Sequence, residues 1–162
     1  MEWETRQAAL WAALDDLGED EFLSKMRALV AELPADDPVG IFECAASLDS
    51  TGHADLAVPQ YRQALALGLT GERRRRAVIQ LSSSLRNLGR ADESVALLTA
   101  ERGAESSNLD DAVSAFLALA LVDTGHEREA VSLALTALAR HLPRYQRSLA
   151  NYARLLVDEP VT

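Results

Sequence analysis

Apolar residues recur along this chain at three- and four-residue intervals, and glycine or proline interrupts the recurrence at nearly regular distances. Trp3, Leu10, Trp11, Leu14 and Leu17 share one helical face, which predicts a first helix from about Trp3 to Leu17 ended by Gly18. Glu19, Asp20 and Glu21 then suit a helix amino terminus, and Phe22, Met26, Leu29, Val30 and Leu33 form the next stripe up to Pro34. Ala35-Asp36-Asp37-Pro38 reads as a turn, followed by a third helix from Ile41 to about Ser50 and a fourth from Ala54 to Leu67. Pro59 lies inside the fourth stretch, where it marks either a later helix start or a bend. A fifth helix is predicted from about Gly71 to Leu88 and a sixth from Ala91 to near Gly103, with a polar loop from Gly103 to Asn108. A seventh begins at Asp110 or Asp111, and an eighth covers Glu127 to about His141. Beyond Pro143, Tyr145, Leu149, Tyr152 and Leu156 make a final amphipathic stripe, with Arg144, Arg147, Asn151 and Arg154 on its other faces.

Three of the breaks say nearly the same thing: LDSTGHADLAV from Leu48, LRNLGRADESV from Leu85 and LVDTGHEREAV from Leu121. Each is a helix end, a turning glycine, a charged pair and a new helix. Gly52, Gly89 and Gly125 are 37 and 36 residues apart, and a fainter copy, LDDLGEDEFL, places Gly18 34 residues before Gly52. A period of that length predicts an array of helical hairpins, each unable to bury its apolar face alone.

The three strings resemble tetratricopeptide repeats over roughly residues 38 to 156, and the chain resembles the small bacterial proteins of that family. The repeats read as about 38–71, 75–108 and 111–142, preceded by a degenerate hairpin at 1–37 and followed by a capping helix at about 143–157, all in one domain spanning 1–162. The first copy meets the family pattern with Ile41, Cys44, Ala45, Leu48, Ala57, Tyr61 and Ala64. The second offers Val78, Leu81, Ser82, Leu85, Ser94 and Leu98 but has Glu101 where a small residue belongs, so its second helix is expected to end early. The third offers Leu117, Ala118, Leu121, Ala130 and Ala137. The resemblance implies an all-α, right-handed solenoid of stacked antiparallel hairpins whose inner groove, lined by the first helix of each pair, holds a peptide or helix of another protein.

Charge refines the picture. The net charge is −9, yet residues 1–50 hold twelve acids against three bases, and the remainder balances thirteen against thirteen. The acidity belongs to the amino-terminal end, and an acidic chain makes a poor nucleic-acid binder. A single cysteine, Cys44, allows no internal disulfide; the opening MEWETRQ is acidic, and no apolar run approaches bilayer length. A soluble protein of the cytoplasm is the expectation, with no nucleic acid and no membrane among its partners.

Residues of the first helices that are neither packing nor outer-face positions define a candidate groove: Phe42, Glu43 and Ala46, then Arg76, Gln80, Ser83 and Asn87, then Phe116 and Leu119, with Arg147 and Asn151 from the cap. Its arginines and amides suit a partner segment bearing carboxylates. The run Arg73-Arg74-Arg75-Arg76 reads as a solvated helix start, because consecutive helical residues point in about four directions. His53 and His126 occupy equivalent turns too far apart to share an ion, His141 suits a helix end, and Cys44 stands at a packing position. The pairs Asp15-Asp16, Asp36-Asp37 and Asp110-Asp111 are sequence neighbours that do not face each other, and Ser82-Ser83-Ser84 lacks a nucleophile elbow. The sequence therefore predicts a protein-binding adaptor with no catalytic residue, metal or cofactor. Two rival readings stay open: self-association of two copies through Trp3, Trp11, Tyr145 and Tyr152, and a small-molecule or anion sensor using Arg76, Arg147 and Asn151.

Overall fold

The computed structural model describes residues 2–104 and 107–158, and these are helical with no strand among them. The elements are α1 (Glu2–Ala12), a 3₁₀ turn (Leu14–Asp16), α2 (Glu19–Val30), α3 (Pro38–Ser50), α4 (Ala54–Ala66), α5 (Gly71–Asn87), α6 (Ala91–Arg102), α7 (Asp110–Asp123), α8 (Glu127–Ala139) and α9 (Gln146–Asp158). They fall into two compact units, Met1–Ser84 and Leu85–Thr162. In the first, α1 packs on α2, α2 on α3 and α3 on α4; in the second, α6 packs on α7, α7 on α8 and α8 on α9.

Three hairpins are closed by one device. Gly52, Gly89 and Gly125 adopt φ of 91°, 77° and 78°, a left-handed conformation that glycine reaches at little cost. The glycine N–H donates to the carbonyl three residues back, Asp49, Arg86 or Val122, at 3.0–3.1 Å. The next N–H, from His53, Arg90 or His126, donates to Leu48, Leu85 or Leu121 at 2.8–2.9 Å. This double bond pattern is a Schellman motif, and the residue after the glycine is already the N-cap of the next helix. Gly68 repeats the arrangement after α4, with φ 86° and Leu69 N–H donating to Ala64 O.

The small residues of the repeat pattern are buried where helices meet: Ala45, Ala57 and Ala64 in the first unit, Ala118, Ala130 and Ala137 in the second. Around them Leu48, Tyr61, Leu81, Leu85, Leu117 and Leu121 supply the larger apolar volume, and all are buried. Ser82 and Ser94 are buried as small residues too, with no hydrogen-bond partner for either hydroxyl among the described residues.

The structure departs from the sequence reading at several helix ends. α1 stops at Ala12 rather than Leu17, and Ala13 N–H is shared between Ala9 O and Leu10 O before the chain tightens into the 3₁₀ turn. Continuing the helix would set Asp15 and Asp16 against its own negative carbonyl end. Gly18 is not a fourth turning glycine: at φ −69° and ψ 152° it is the extended N-cap of α2. α3 begins three residues before Ile41, because Pro38 suits a first helical position and Asp37 Oδ1 accepts from Val39 N at 2.8 Å and Gly40 N at 3.2 Å. α4 starts at Ala54 and contains Pro59, so the proline does not delay the helix. α6 runs to Arg102 with Glu101 buried inside it, against the expected early end. Of the predicted polar loop Gly103–Asn108, Glu105 and Ser106 lie outside the described residues.

The glycine geometries separate two substitutions. Gly89→Ala forces a side chain into the left-handed region and should cost ~1–2 kcal/mol, lowering the thermal midpoint by several degrees. Gly18→Ser meets no atom within 4 Å and supplies a capping oxygen, so its melting curve should match the wild type or lie slightly above it.

Candidate functional site

Within the first unit the first-helix surfaces of α3 and α5 meet around two carboxylates. Glu43, on α3, is 0% exposed. Its Oε2 accepts from Gln7 Nε2 at 2.9 Å and Trp11 Nε1 at 2.8 Å, both on α1, and its Oε1 accepts from Arg73 Nε at 3.2 Å, on α5. Arg73 also donates to Glu4 Oε2 at 2.5 Å. Trp3 Nε1 donates to Leu29 O at 2.9 Å, Arg6 pairs with Glu32, and Trp11 packs edge-on against Phe22 with centroids 5.3 Å apart. α1 is therefore fastened to α2, α3 and α5 by directed polar contacts, and Gln7 is its one buried residue.

The second carboxylate, Asp49, sits in the last turn of α3. Its Oδ1 accepts from Ser84 Oγ at 2.8 Å and its Oδ2 from the Tyr61 hydroxyl at 3.3 Å. Burial raises the Asp49 pKa above the ordinary carboxylate value, partly opposed by the hydrogen bonds from Ser84 and Tyr61. Burial also raises the Tyr61 phenol, and Asp49 adds to that shift. Tyr61 packs against Phe42 at 6.2 Å, and the Arg76 guanidinium lies over the Phe42 ring, 5.4 Å from its centroid.

These contacts revise the reading of the arginine run. Arg73 is half-buried in its carboxylate pairs, Arg75 is buried and Arg76 covers Phe42, leaving Arg74 as the exposed member. The run is thus not a solvated helix start, although its members do point in different directions as helical geometry requires. Phe42, Glu43 and Ala46 have no exposed surface, so they support the α5 side chains from beneath instead of lining an open groove. Arg76, Gln80, Ser83 and Asn87 recur along one stripe of α5; the first three are half-buried and Asn87 is exposed. Arg76 has no carboxylate partner among the described residues, and it borders a cleft of about 480 Å³ walled by Pro38, Val39, Gly68, Leu69, Thr70, Gly71, Glu72 and Arg73.

Two further clefts, of about 560 and 510 Å³, lie between α2 and α4 over α3 and share Arg27, Cys44 and Gln60. Cys44 is half-buried there rather than wholly enclosed, and burial raises its thiol pKa, which disfavours the thiolate. His53 meets Glu19 Oε1 at 2.6 Å, and His126 meets Thr124 Oγ1 at 3.2 Å.

In the second unit Phe116 is half-buried and Leu119 is 47% exposed on α7. Arg147 and Asn151 are exposed on α9, and Asn151 Oδ1 accepts from Arg154 at 3.2 Å. His141 has a partner the sequence did not suggest: its Nε2 lies 2.9 Å from Asp111 Oδ2, and Arg140 meets the other oxygen at 3.2 Å. Arg128 Nε donates to Leu156 O at 3.0 Å, tying α8 to α9, and Arg86 pairs with Asp123 at 2.6 Å.

The model of the family described as Tetratrico peptide repeat matches residues 38–156. The chain belongs to the tetratricopeptide repeat family, whose repeats generally mediate protein–protein interaction and whose members are typically non-enzymatic scaffolds. No curated protein and no solved structure matches it. Among the described residues no helix is long and apolar enough to cross a membrane.

Three substitutions probe the carboxylates. Glu43→Ala strands Gln7, Trp11 and Arg73 donors and should cost ~3 kcal/mol or more, whereas Trp11→Phe removes one hydrogen bond and should cost ~1 kcal/mol, both read from urea unfolding. Asp49→Asn keeps acceptors for Ser84 and Tyr61 without the charge. A carboxyl whose folded pKa is raised binds more protons folded than unfolded, so its ionisation removes stability as pH rises from the unfolded value through the folded one. Asp49→Asn should therefore be more stable than wild type at neutral pH, and the difference should vanish below the ordinary carboxylate range.

Proposed function

We propose that this chain is a non-catalytic adaptor or regulatory scaffold of the cytoplasm that holds a carboxylate-bearing peptide or helix of another protein against the Arg76 face of α5. The observation that carries this reading is the state of Arg76. Its guanidinium carbon lies over a buried aromatic ring, and the group lacks a carboxylate partner among the described residues and borders a cleft. An arginine fixed in this way has already lost much of its rotamer freedom and offers its fork to an incoming acid. Gln80, Ser83 and Asn87 continue the stripe with amide and hydroxyl groups.

The test compares proteins captured from a native lysate by wild type, by Arg76→Glu and by a control reversal at exposed Arg102. A partner retained by wild type and Arg102→Glu should be lost from Arg76→Glu. Titration calorimetry with that partner should show a loss of at least about thirtyfold in affinity. Equal affinity of Arg76→Glu and wild type would remove Arg76 from the binding surface.

A further inference from the structure

The charge imbalance of the chain is local in the structure as well as in the sequence. At the α1–α2 junction, Asp15 and Asp16 of the 3₁₀ turn and Asp20 in the first turn of α2 are all exposed. None has an ionic partner among the described residues, whereas neighbouring Glu19 and Glu21 are taken by His53 and Lys25. The junction is an uncompensated patch of three carboxylates.

The α9 segment has the opposite character. From Arg140 to Asp158 the chain carries four arginines and one acid. Arg140 is paired with Asp111 and Arg154 with Asp158, but Arg144 and Arg147 are exposed with no ionic partner among the described residues. α9 buries Ala153 at the centre of its packed side, and its opposite side presents Ser148, Asn151, Tyr152 and Arg147 to solvent. Tyr145 and Tyr152 are 76% and 67% exposed, the two most exposed of the large apolar or aromatic side chains described. Tyr145 also has a φ of 68°, which a bulky residue adopts only under strain. Exposed tyrosine beside unpaired arginine is the composition of an interface centre, not of an ordinary solvated helix face.

We infer that this aromatic and basic face of α9 docks on the acidic α1–α2 junction of a second copy of the chain, a head-to-tail association. The charge complementarity selects this occupant: the chain itself carries the carboxylates that Arg144 and Arg147 lack, on a junction where Lys25 and His53 are already taken by Glu21 and Glu19. A symmetric α9-to-α9 pairing would bring arginine against arginine, which the head-to-tail arrangement avoids.

Sedimentation velocity of the full chain over a concentration series tests it. Association should be present at low ionic strength, and the self-dissociation constant should rise about tenfold or more between 25 and 300 mM salt. Arg144→Glu with Arg147→Glu should be monomeric alone, as should Asp15→Arg with Asp16→Arg and Asp20→Arg. An equimolar mixture of the two variants should associate again, because each supplies the charge the other has lost. Tyr145→Ser with Tyr152→Ser should weaken association without changing its salt dependence. A wild type that stays monomeric at low salt overturns the inference, as does association that survives either reversal. Loss in the tyrosine variant together with no recovery in the mixture overturns it in favour of symmetric pairing. All substituted side chains are exposed, and the salt series on the wild type is independent of any variant's folding.

Discussion

The left-handed glycine that ends the first helix of each repeat is the constraint from which the rest of this structure follows. One residue at positive φ lets the chain reverse within three residues while two backbone bonds satisfy the last carbonyls of the helix. Helices joined so tightly must pack on each other along their length, so residues near the contact have to be small. That is where Ala45, Ala57, Ala118 and Ala130 are buried. Ser82 and Ser94 meet the same size requirement and are buried as well.

Polar groups do a different kind of work in the first unit. α1 has a weak apolar face with only Gln7 buried, yet its position is fixed because Gln7 and Trp11 converge on one fully buried carboxylate. A buried Glu43 is tolerable only because it also receives Arg73, and Arg73 in turn reaches Glu4. This directional requirement locks the register of α1, α3 and α5 more narrowly than greasy contact alone. It also explains why a four-arginine run begins α5. The first member anchors α1, the fourth caps Phe42, and the helix rotates the others elsewhere.

Much of the fold was readable in the sequence because its strongest signals are local. A glycine flanked by two amphipathic stripes at a constant period has one economical explanation, and Gly52, Gly89 and Gly125 follow it. Gly18 shows the limit: the residue type cannot distinguish a left-handed C′ from an extended N-cap, and only the acids at Glu19–Glu21 hinted at the latter. The start of α3 was missed although Asp37-Pro38 carried the capping signature. What the sequence could not show is pairing across 30 or more residues. Gln7 drew no notice in the sequence and Glu43 read as a groove position, because nothing local joins them. The same is true of His141 and Asp111.

α5 is the surface proposed to recognise another chain, with α3 beneath it as a support. Amide hydrogen exchange, measured on the free protein and on its complex with a captured partner, examines that division most directly. Slowed exchange should concentrate in the first turns of α5 and the adjoining Gly68–Gly71 segment. Protection that leaves residues 68–80 unchanged and appears elsewhere would contradict it.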